Sequence, residues 1–360
     1  MPRVRNHFFV LALLDPYTND VVNLGSVHRT KPGYYVVCGP GQHKVAIPAG
    51  THRINVNYTR IWVIGSTQLK GKKDLANVNR IQDGYTLTPL SKYGTSYHLP
   101  RPAHSKTKVK NYQVPTGLQF FDVLGKLLKQ FPPPAADRPL LRELATVGIG
   151  PGMQPSRNSK LNADTLAGLR AAVAAGPAQI QADAKTLFVS SAGKHNGYFL
   201  ERLGTYGTNY ELRAVISQMG LGAFTSEIAI FALSLTDDTF KPLFGSTNYV
   251  LHLPMLPPVN EGWTLTVYST QGFLVPNSIN RYQLSNASPL LRNSDGSVNM
   301  YLQSIRPSNS ADQANWLPTP SGAGFEVIWR LLAPKPAAIN GILNGTGWQP
   351  PAIVASATSP

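Results

Sequence analysis

The chain has 360 residues, above the size at which one hydrophobic core usually stops growing, so two domains or one domain with a large insertion are expected. With 42% hydrophobic and 14% charged residues, 31 Gly and 30 Pro, the composition excludes a disordered chain and calls for many turns between packed elements. The net charge of +15 is uneven: residues 1–110 hold 16 Lys/Arg against 4 Asp/Glu, and residues 111–360 hold 17 against 14. The basic field therefore belongs to the N-terminal part. It is either a solvated basic surface that keeps the protein soluble or a field for an acidic glycan, a phospholipid headgroup or an acidic subunit as partner. Nucleic acid is disfavoured because no motif that reads it accompanies the charge.

Met1 to Leu14 imitates a signal peptide, with basic residues before an apolar run. That run has only 7 residues and passes into Asp15-Pro16-Tyr17 without a small-residue cleavage site, so it reads as a strand. No other stretch reaches membrane-spanning length. Strands are predicted over 7–14, 21–27, 33–38, 52–56 and 59–66, separated by Pro, Gly and Asn turns and forming one antiparallel unit. A short helix is predicted over 76–82, capped by Asp74. Cys38, the sole cysteine, closes an apolar strand and reads as a buried thiol; being alone, it excludes an intrachain disulfide and a thiolate metal cluster.

Residues 91–115 are polar and basic, as in an exposed linker. Phe120, Leu124, Leu127 and Phe131 then keep helical spacing until Pro132-Pro133-Pro134 ends the pattern. Further helices are predicted over 137–146, over 164–175 with a break or kink at Gly176-Pro177 and resumption to 184, and over 206–219. The period then returns to two, with strands at 227–234, 249–253, 263–268, 281–284, 298–303 and 325–332. Residues 345–351 read as a Pro-rich tail anchored by Trp348. The fold class is mainly β with a helical middle segment: an N-terminal antiparallel β domain (1–110), a linker and helical segment (111–222) and a C-terminal jelly-roll-like β-sandwich (223–360).

Catalytic signatures are absent: there is no phosphate loop, no dinucleotide-binding glycine motif, no nucleophile elbow and no paired-histidine zinc motif. Gly39-Pro40-Gly41-Gln42-His43-Lys44 could cradle a phosphate, but Pro40 removes one amide, and a hairpin turn is the simpler reading. Six of the eight histidines lie in the basic third without ligand spacing, and Asn-Ser-Asp-Gly (293–296) is a turn signal, so neither a metal nor a cofactor is expected. Asn277, Asn280, Arg281, Tyr282, Tyr301, Gln303, Asn315 and Trp316 supply the amide, guanidinium and aromatic groups with which sandwich proteins hold sugars or planar anions. The same residues could instead satisfy loop carbonyls. Lys70, Lys72, Lys73, Arg101, Lys106, Lys108 and Lys110 are the candidates for an anionic partner.

Several ordered motifs carry a family likeness. Trp263 to Tyr268, Gly272 to Tyr282, Asp295-Gly296 with Tyr301 and Gln303, and Asn315-Trp316-Leu317-Pro318 resemble the second half of a largely bacterial two-part family, the domains of unknown function 1254 and 1214. Asn209 to Met219 and the closing Lys335-Pro336 and Trp348-x-Pro350-Pro351 are similar to it as well. Leu13-Leu14-Asp15-x-Tyr17-Thr18-Asn19, Gly39-Pro40-Gly41, Ile61-Trp62-x-Ile64-Gly65 and Gln82-Asp83-x-Tyr85-x-Leu87-x-Pro89-Leu90 resemble the first half. The resemblance implies two β-rich domains around a helical segment, often outside the cytoplasm, and no established activity. Family members usually begin earlier, so the first domain is read as shortened, with an open edge along 7–14.

Two functions follow as expectations. The first is a non-catalytic binding or assembly protein, with an aromatic and amide face for glycan or subunit contact and a basic domain for an anionic partner. The alternative is a hydrolase or lyase with Arg281 as anion clamp and Tyr282 or Tyr301 as proton donor.

Overall fold

A computed structural model describes residues 1–97 and 113–356. The N-terminal strands are β1 (Phe9–Leu14), β2 (Asp20–Gly25), β3 (Tyr34–Cys38), β4 (Thr51–Asn55) and β5 (Trp62–Thr67), followed by α1 (Leu75–Asp83). They do not form one antiparallel unit. β1 lies between β2 and β5 in an antiparallel sheet, whereas β3 and β4 form a separate parallel pair.

The apolar run Phe8 to Leu14 has no polar alternation because both of its faces are covered. Phe8, Val10, Ala12 and Leu14 pack with Ile228 and Ala333 of the C-terminal region. Leu13 points the other way, towards Ile54, Val56, Tyr35 and Ile61. The edge expected along 7–14 is therefore closed, since both sides of β1 are hydrogen-bonded. The outer strands of this sheet are β2 and β5, each of which pairs with β1 alone as a strand among the described residues.

The helical segment contains α2 (Leu118–Gln130), α3 (Arg138–Ala145), α4 (Ala163–Ala192) and α5 (Tyr210–Met219). Side-chain caps set two starts: Asn162 accepts from the Thr165 amide at 2.8 Å and Asn209 from the Leu212 amide at 3.0 Å. The second cap moves the start of α5 from the predicted 206 to 210. Asp74 precedes α1 without a side-chain cap bond, its carboxylate being engaged by His7, Asn77 and the Lys70 amide instead. α4 is continuous over 30 residues through Pro177, so the helix is not broken there. Pro177 is exposed, so the carbonyl it leaves unpaired one turn back can be hydrated.

The C-terminal strands are β6 (Ala229–Ser234), β7 (Asn248–Leu253), β8 (Val259–Ser269), β9 (Gln283–Ser285) and β10 (Val298–Gln303), then α6 (Ser310–Ala314), β11 (Trp316–Pro318), β12 (Phe325–Pro334), α7 (Pro336–Asn344) and β13 (Val354–Ser356). They build two four-stranded sheets, β11-β10-β7-β13 and β6-β12-β8-β9, which share one core as the predicted sandwich does. β12 alternates strictly, with Phe325, Val327, Trp329 and Leu331 inward. Trp329 is the hub: its ring lies 5.2 Å from Trp263 and 6.0 Å from Trp348, and its indole N–H donates to the Tyr198 hydroxyl at 3.4 Å. Trp348 anchors the tail as expected. The strap behind it is fixed by Tyr198 donating to Pro351 O (3.1 Å) and Asn196 to Pro350 O (3.0 Å).

The two β regions are stitched together by the turn after β1. The Asp20 amide donates to Gly204 O at 2.7 Å, the Tyr206 amide to Asn19 Oδ1 at 3.3 Å, and Asp20 Oδ2 accepts from the Thr225 amide at 3.0 Å. Asp20 is 96% buried, because its relative exposure is 4%, and its Oδ1 has no partner among the described residues. Burial raises its pKa, opposed by the Thr225 and Asn23 hydrogen bonds and aided by Glu227.

Two outcomes are expected. Trp329→Ala should lower the unfolding free energy in a urea titration by about 3–5 kcal/mol, the usual cost of emptying a buried Trp site. For Asp20 the folded state holds its proton more tightly than the unfolded state, so its contribution to stability falls as pH rises past the ordinary Asp value near 3.8. Asp20→Asn should therefore gain on the wild type between pH 4 and pH 7, by on the order of 1 kcal/mol at neutrality. A difference in stability that stays constant across that range would contradict this assignment.

Candidate functional site

The polar corner predicted in the C-terminal region is assembled, but most of its groups are committed to the backbone. Arg281 Nη1 donates to the carbonyls of Gln313 (2.8 Å), Ala314 (3.3 Å) and Trp316 (2.8 Å). Asn277 closes the loop before it, donating to Val275 O and Arg281 O and accepting from the Arg281 amide. Asn315, buried, donates to Leu291 O and Asn299 O and accepts from the Leu291 amide. Trp316 donates its indole N–H to Gln303 O, and Gln303 donates to Ile305 O.

Asn280 adopts the left-handed region (φ 51°) at the loop tip, and the Tyr282 hydroxyl reaches its side chain at 3.4 Å. Burial lowers the Arg281 pKa, and burial together with Asp312 raises that of Tyr301. This corner also exposes large apolar side chains beside the exposed Asn280: Phe273 is 72% exposed and Ile305 76%.

A second constellation forms where the N-terminal strands meet the helical segment. Asp15 folds the turn back by accepting from the amides of Tyr17 (2.8 Å) and Asn19 (2.9 Å) and from Asn19 Nδ2 (3.0 Å). This turn projects Tyr17, whose hydroxyl donates to Phe131 O at 2.6 Å, just past the end of α2. Its ring lies 5.8 Å from that of Tyr58, while the Arg213 guanidinium stands 5.9 Å over Tyr17 and 5.6 Å over Tyr210. Tyr210 donates to Asp137 Oδ1 at 2.9 Å.

Beside this cluster opens a cleft of about 440 Å³ lined by Pro40, Asn57, Tyr58, Thr59, Gln130 and Pro132 to Pro134. Burial, then the nearby Asp15 and Asp137 charges, push the Tyr58 pKa up, with Arg213 opposing. Tyr17 is raised strongly, first by burial. Both phenols therefore stay protonated and serve as hydrogen-bond donors rather than bases at neutral pH.

Sequence reasoning assigned no site role to Tyr17, Tyr58, Asp137, Tyr210 or Arg213. Almost 200 residues separate Tyr17 from Arg213, so only tertiary packing unites them. The local signal was the turn Asp15-Pro16-Tyr17-Thr18-Asn19 itself.

The basic candidates Lys70, Lys72 and Lys73 occupy the exposed connection from β5 to α1. Asp74 organises it, accepting from the Lys70 amide at 2.9 Å, from Asn77 Nδ2 at 3.0 Å and from His7 at 2.8 Å. Those bonds, that from Lys70 foremost, hold the Asp74 pKa down to about 2. Lys70 Nζ donates to Asn6 O, and Leu69 and Leu75 lie exposed alongside. Arg101, Lys106, Lys108 and Lys110 lie outside the described residues.

Throughout the described residues no Lys or Arg side chain comes within 4.0 Å of a carboxylate. The two contacts between oppositely ionisable side chains both use histidine, His7 with Asp74 (2.8 Å) and His28 with Glu227 (3.4 Å). Among these residues no helix is long and apolar enough to cross a membrane.

Comparison with known proteins bears on the fold and the family. No curated protein matches the sequence. Among solved structures, the chain is similar to the VPA0106 protein from Vibrio parahaemolyticus at 18% identity and a TM-score of 0.70, over 98% of this chain and 83% of that one, which establishes likeness of fold alone. An uncharacterised protein from Burkholderia cenocepacia aligns over 56% of this chain and 46% of that one at 16% identity with a TM-score of 0.29, too low to carry an argument. Residues 1–89 match the family DUF1254 and residues 228–336 match DUF1214, each described as a protein of unknown function. The chain belongs to the two-part family that joins an N-terminal domain of unknown function 1254 to a C-terminal domain of unknown function 1214.

Proposed function

We propose that the protein is a non-catalytic binding protein that docks an acidic polysaccharide on its basic N-terminal region. The observation that carries this reading is the complete lack, among the described residues, of Lys or Arg paired with a carboxylate. A chain of net charge +15 whose described Lys and Arg side chains pair with no carboxylate projects a positive field that concentrates polyanions.

The Tyr58 cleft supports a sugar as the partner. It offers an aromatic face, amides from Asn57 and Gln130 and a hydroxyl from Thr59, the groups that meet the alternating apolar and hydroxyl faces of a pyranose ring. Lys44, Arg60 and Lys129 lie close in sequence to its lining residues, placing positive charge near the same cleft. The C-terminal corner favours the assembly half of the function instead. Its guanidinium and most of its amides hold backbone, while Phe273 and Ile305 remain exposed, a surface suited to another subunit rather than to a sugar. Tyr282 remains beside this corner, but an Arg281 engaged by three carbonyls is a poor anion clamp, which favours binding over the hydrolase or lyase alternative.

Two measurements check the reading. In calorimetry of the full chain with polygalacturonate, Tyr58→Ala should weaken binding at least about fivefold, and the triple charge reversal of Lys70, Lys72 and Lys73 to Glu about tenfold or more. Wild-type-like affinity in both would contradict it. Arg281→Met should lower the unfolding free energy by about 1–3 kcal/mol, because part-buried carbonyls lose their donor. Its binding to polygalacturonate should stay within about twofold of the wild type; a loss of binding at unchanged stability would return the ligand site to the C-terminal corner.

A further inference from the structure

A second cavity, separate from the Tyr58 cleft, lies where the connection from α4 to α5, the segment before β6 and the side of α7 meet. It has a volume of about 360 Å³, and Arg202, Thr205, Thr225, Ser226, Glu227 and Asn340 are among its lining residues. Arg202 and Glu227 carry opposite charges into one small space, yet they are not within 4.0 Å of each other. Each has another partner: Arg202 Nη2 donates to Asn340 Oδ1 at 2.8 Å, and Glu227 sits 3.4 Å from His28 Nε2. Opposite charges that line the same cavity without pairing with each other can accept the two ends of one dipolar ligand.

The lining between them is built for polar contact. Ser226 is 95% buried, its relative exposure being 5%, and its hydroxyl makes no hydrogen bond among the described residues although it lines the cavity. Behind the Thr225 amide lies Asp20, whose Oδ1 is buried and unpartnered among the described residues. The Glu227 side is acidic within a strongly basic protein, and the Arg202 side is cationic and hydrogen-bonded to Asn340 of α7. An ammonium group fits the first and a carboxylate the second.

We infer that this cavity binds a small zwitterion, an α-amino acid, with its carboxylate on Arg202, its ammonium on Glu227 and a polar contact to Ser226. Neither half of such a ligand is enough: a lone carboxylate meets Glu227, and a lone amine meets Arg202.

Isothermal titration of the full chain with L-alanine, L-glutamine, acetate and methylammonium tests the inference. Both amino acids should bind with Kd below about 1 mM, and acetate and methylammonium each at least about tenfold more weakly. Arg202→Gln and Glu227→Gln, both at exposed positions and checked for folding by circular dichroism, should each weaken amino-acid binding by about tenfold or more. Absence of amino-acid binding at about 10 mM, equal binding of acetate or methylammonium, or wild-type affinity in either folded variant would each overturn it. Tyr58→Ala should leave this binding unchanged; a loss there would also overturn the assignment, because the two cavities share no lining residue.

Discussion

The burial of β1 on both faces is the constraint on which the rest of the structure depends. Leu14, Ala12, Val10 and Phe8 are covered by Ile228 and Ala333, and Leu13 by Ile54 and Val56, so one six-residue strand couples the C-terminal sandwich to the β3 and β4 pair. Everything positioned by the turn after β1 inherits that rigidity. Tyr17 reaches Phe131, Asn19 reaches Tyr206 and Asp20 reaches Thr225 because the strand that feeds them cannot rotate without exposing one apolar face. The Tyr58 cleft and the Arg202–Glu227 cavity thus depend on the same turn, although they share no lining residue.

Much of the fold was legible in the chain, because periodicity reports burial. Phe325, Val327, Trp329 and Leu331 alternate with polar or half-buried neighbours, and β12 follows at once. Phe120 to Phe131 keep helical spacing and α2 ends just before Pro132 to Pro134, although the helix buries Gly125 and Leu128 while Phe120 and Leu127 of the spaced set are exposed. What alternation cannot report is partner choice. The parallel pairing of β3 with β4 and the central position of β1 depend on contacts with residues far along the chain. The same limit explains Pro177: exposure lets α4 continue, and exposure is a tertiary property. α7 was missed although Pro336 at its start and Gly345 in the left-handed region just past its end are ordinary helix signals, because the prolines beyond them suggested an unstructured tail.

The site was less legible for a related reason. Asn277, Arg281 and Asn315 have the chemistry of ligand binding and the surroundings of loop staples, and a sequence displays only the first. Tyr17, Tyr58, Asp137 and Arg213 have no common spacing, and packing alone gathers them. The basic N-terminal charge could be read from residue counts, but that its cations among the described residues pair with no carboxylate could not. That second fact turns a charge imbalance into a candidate surface.

The measurement that tests the central claim most directly is the salt dependence of polysaccharide affinity for the intact chain. If unpaired lysines and arginines hold the polymer, the affinity for polygalacturonate should fall at least about tenfold as NaCl rises from about 50 to about 300 mM, because exposed charges are screened over that range. An affinity independent of salt, or no binding even at the lowest ionic strength, would contradict the account.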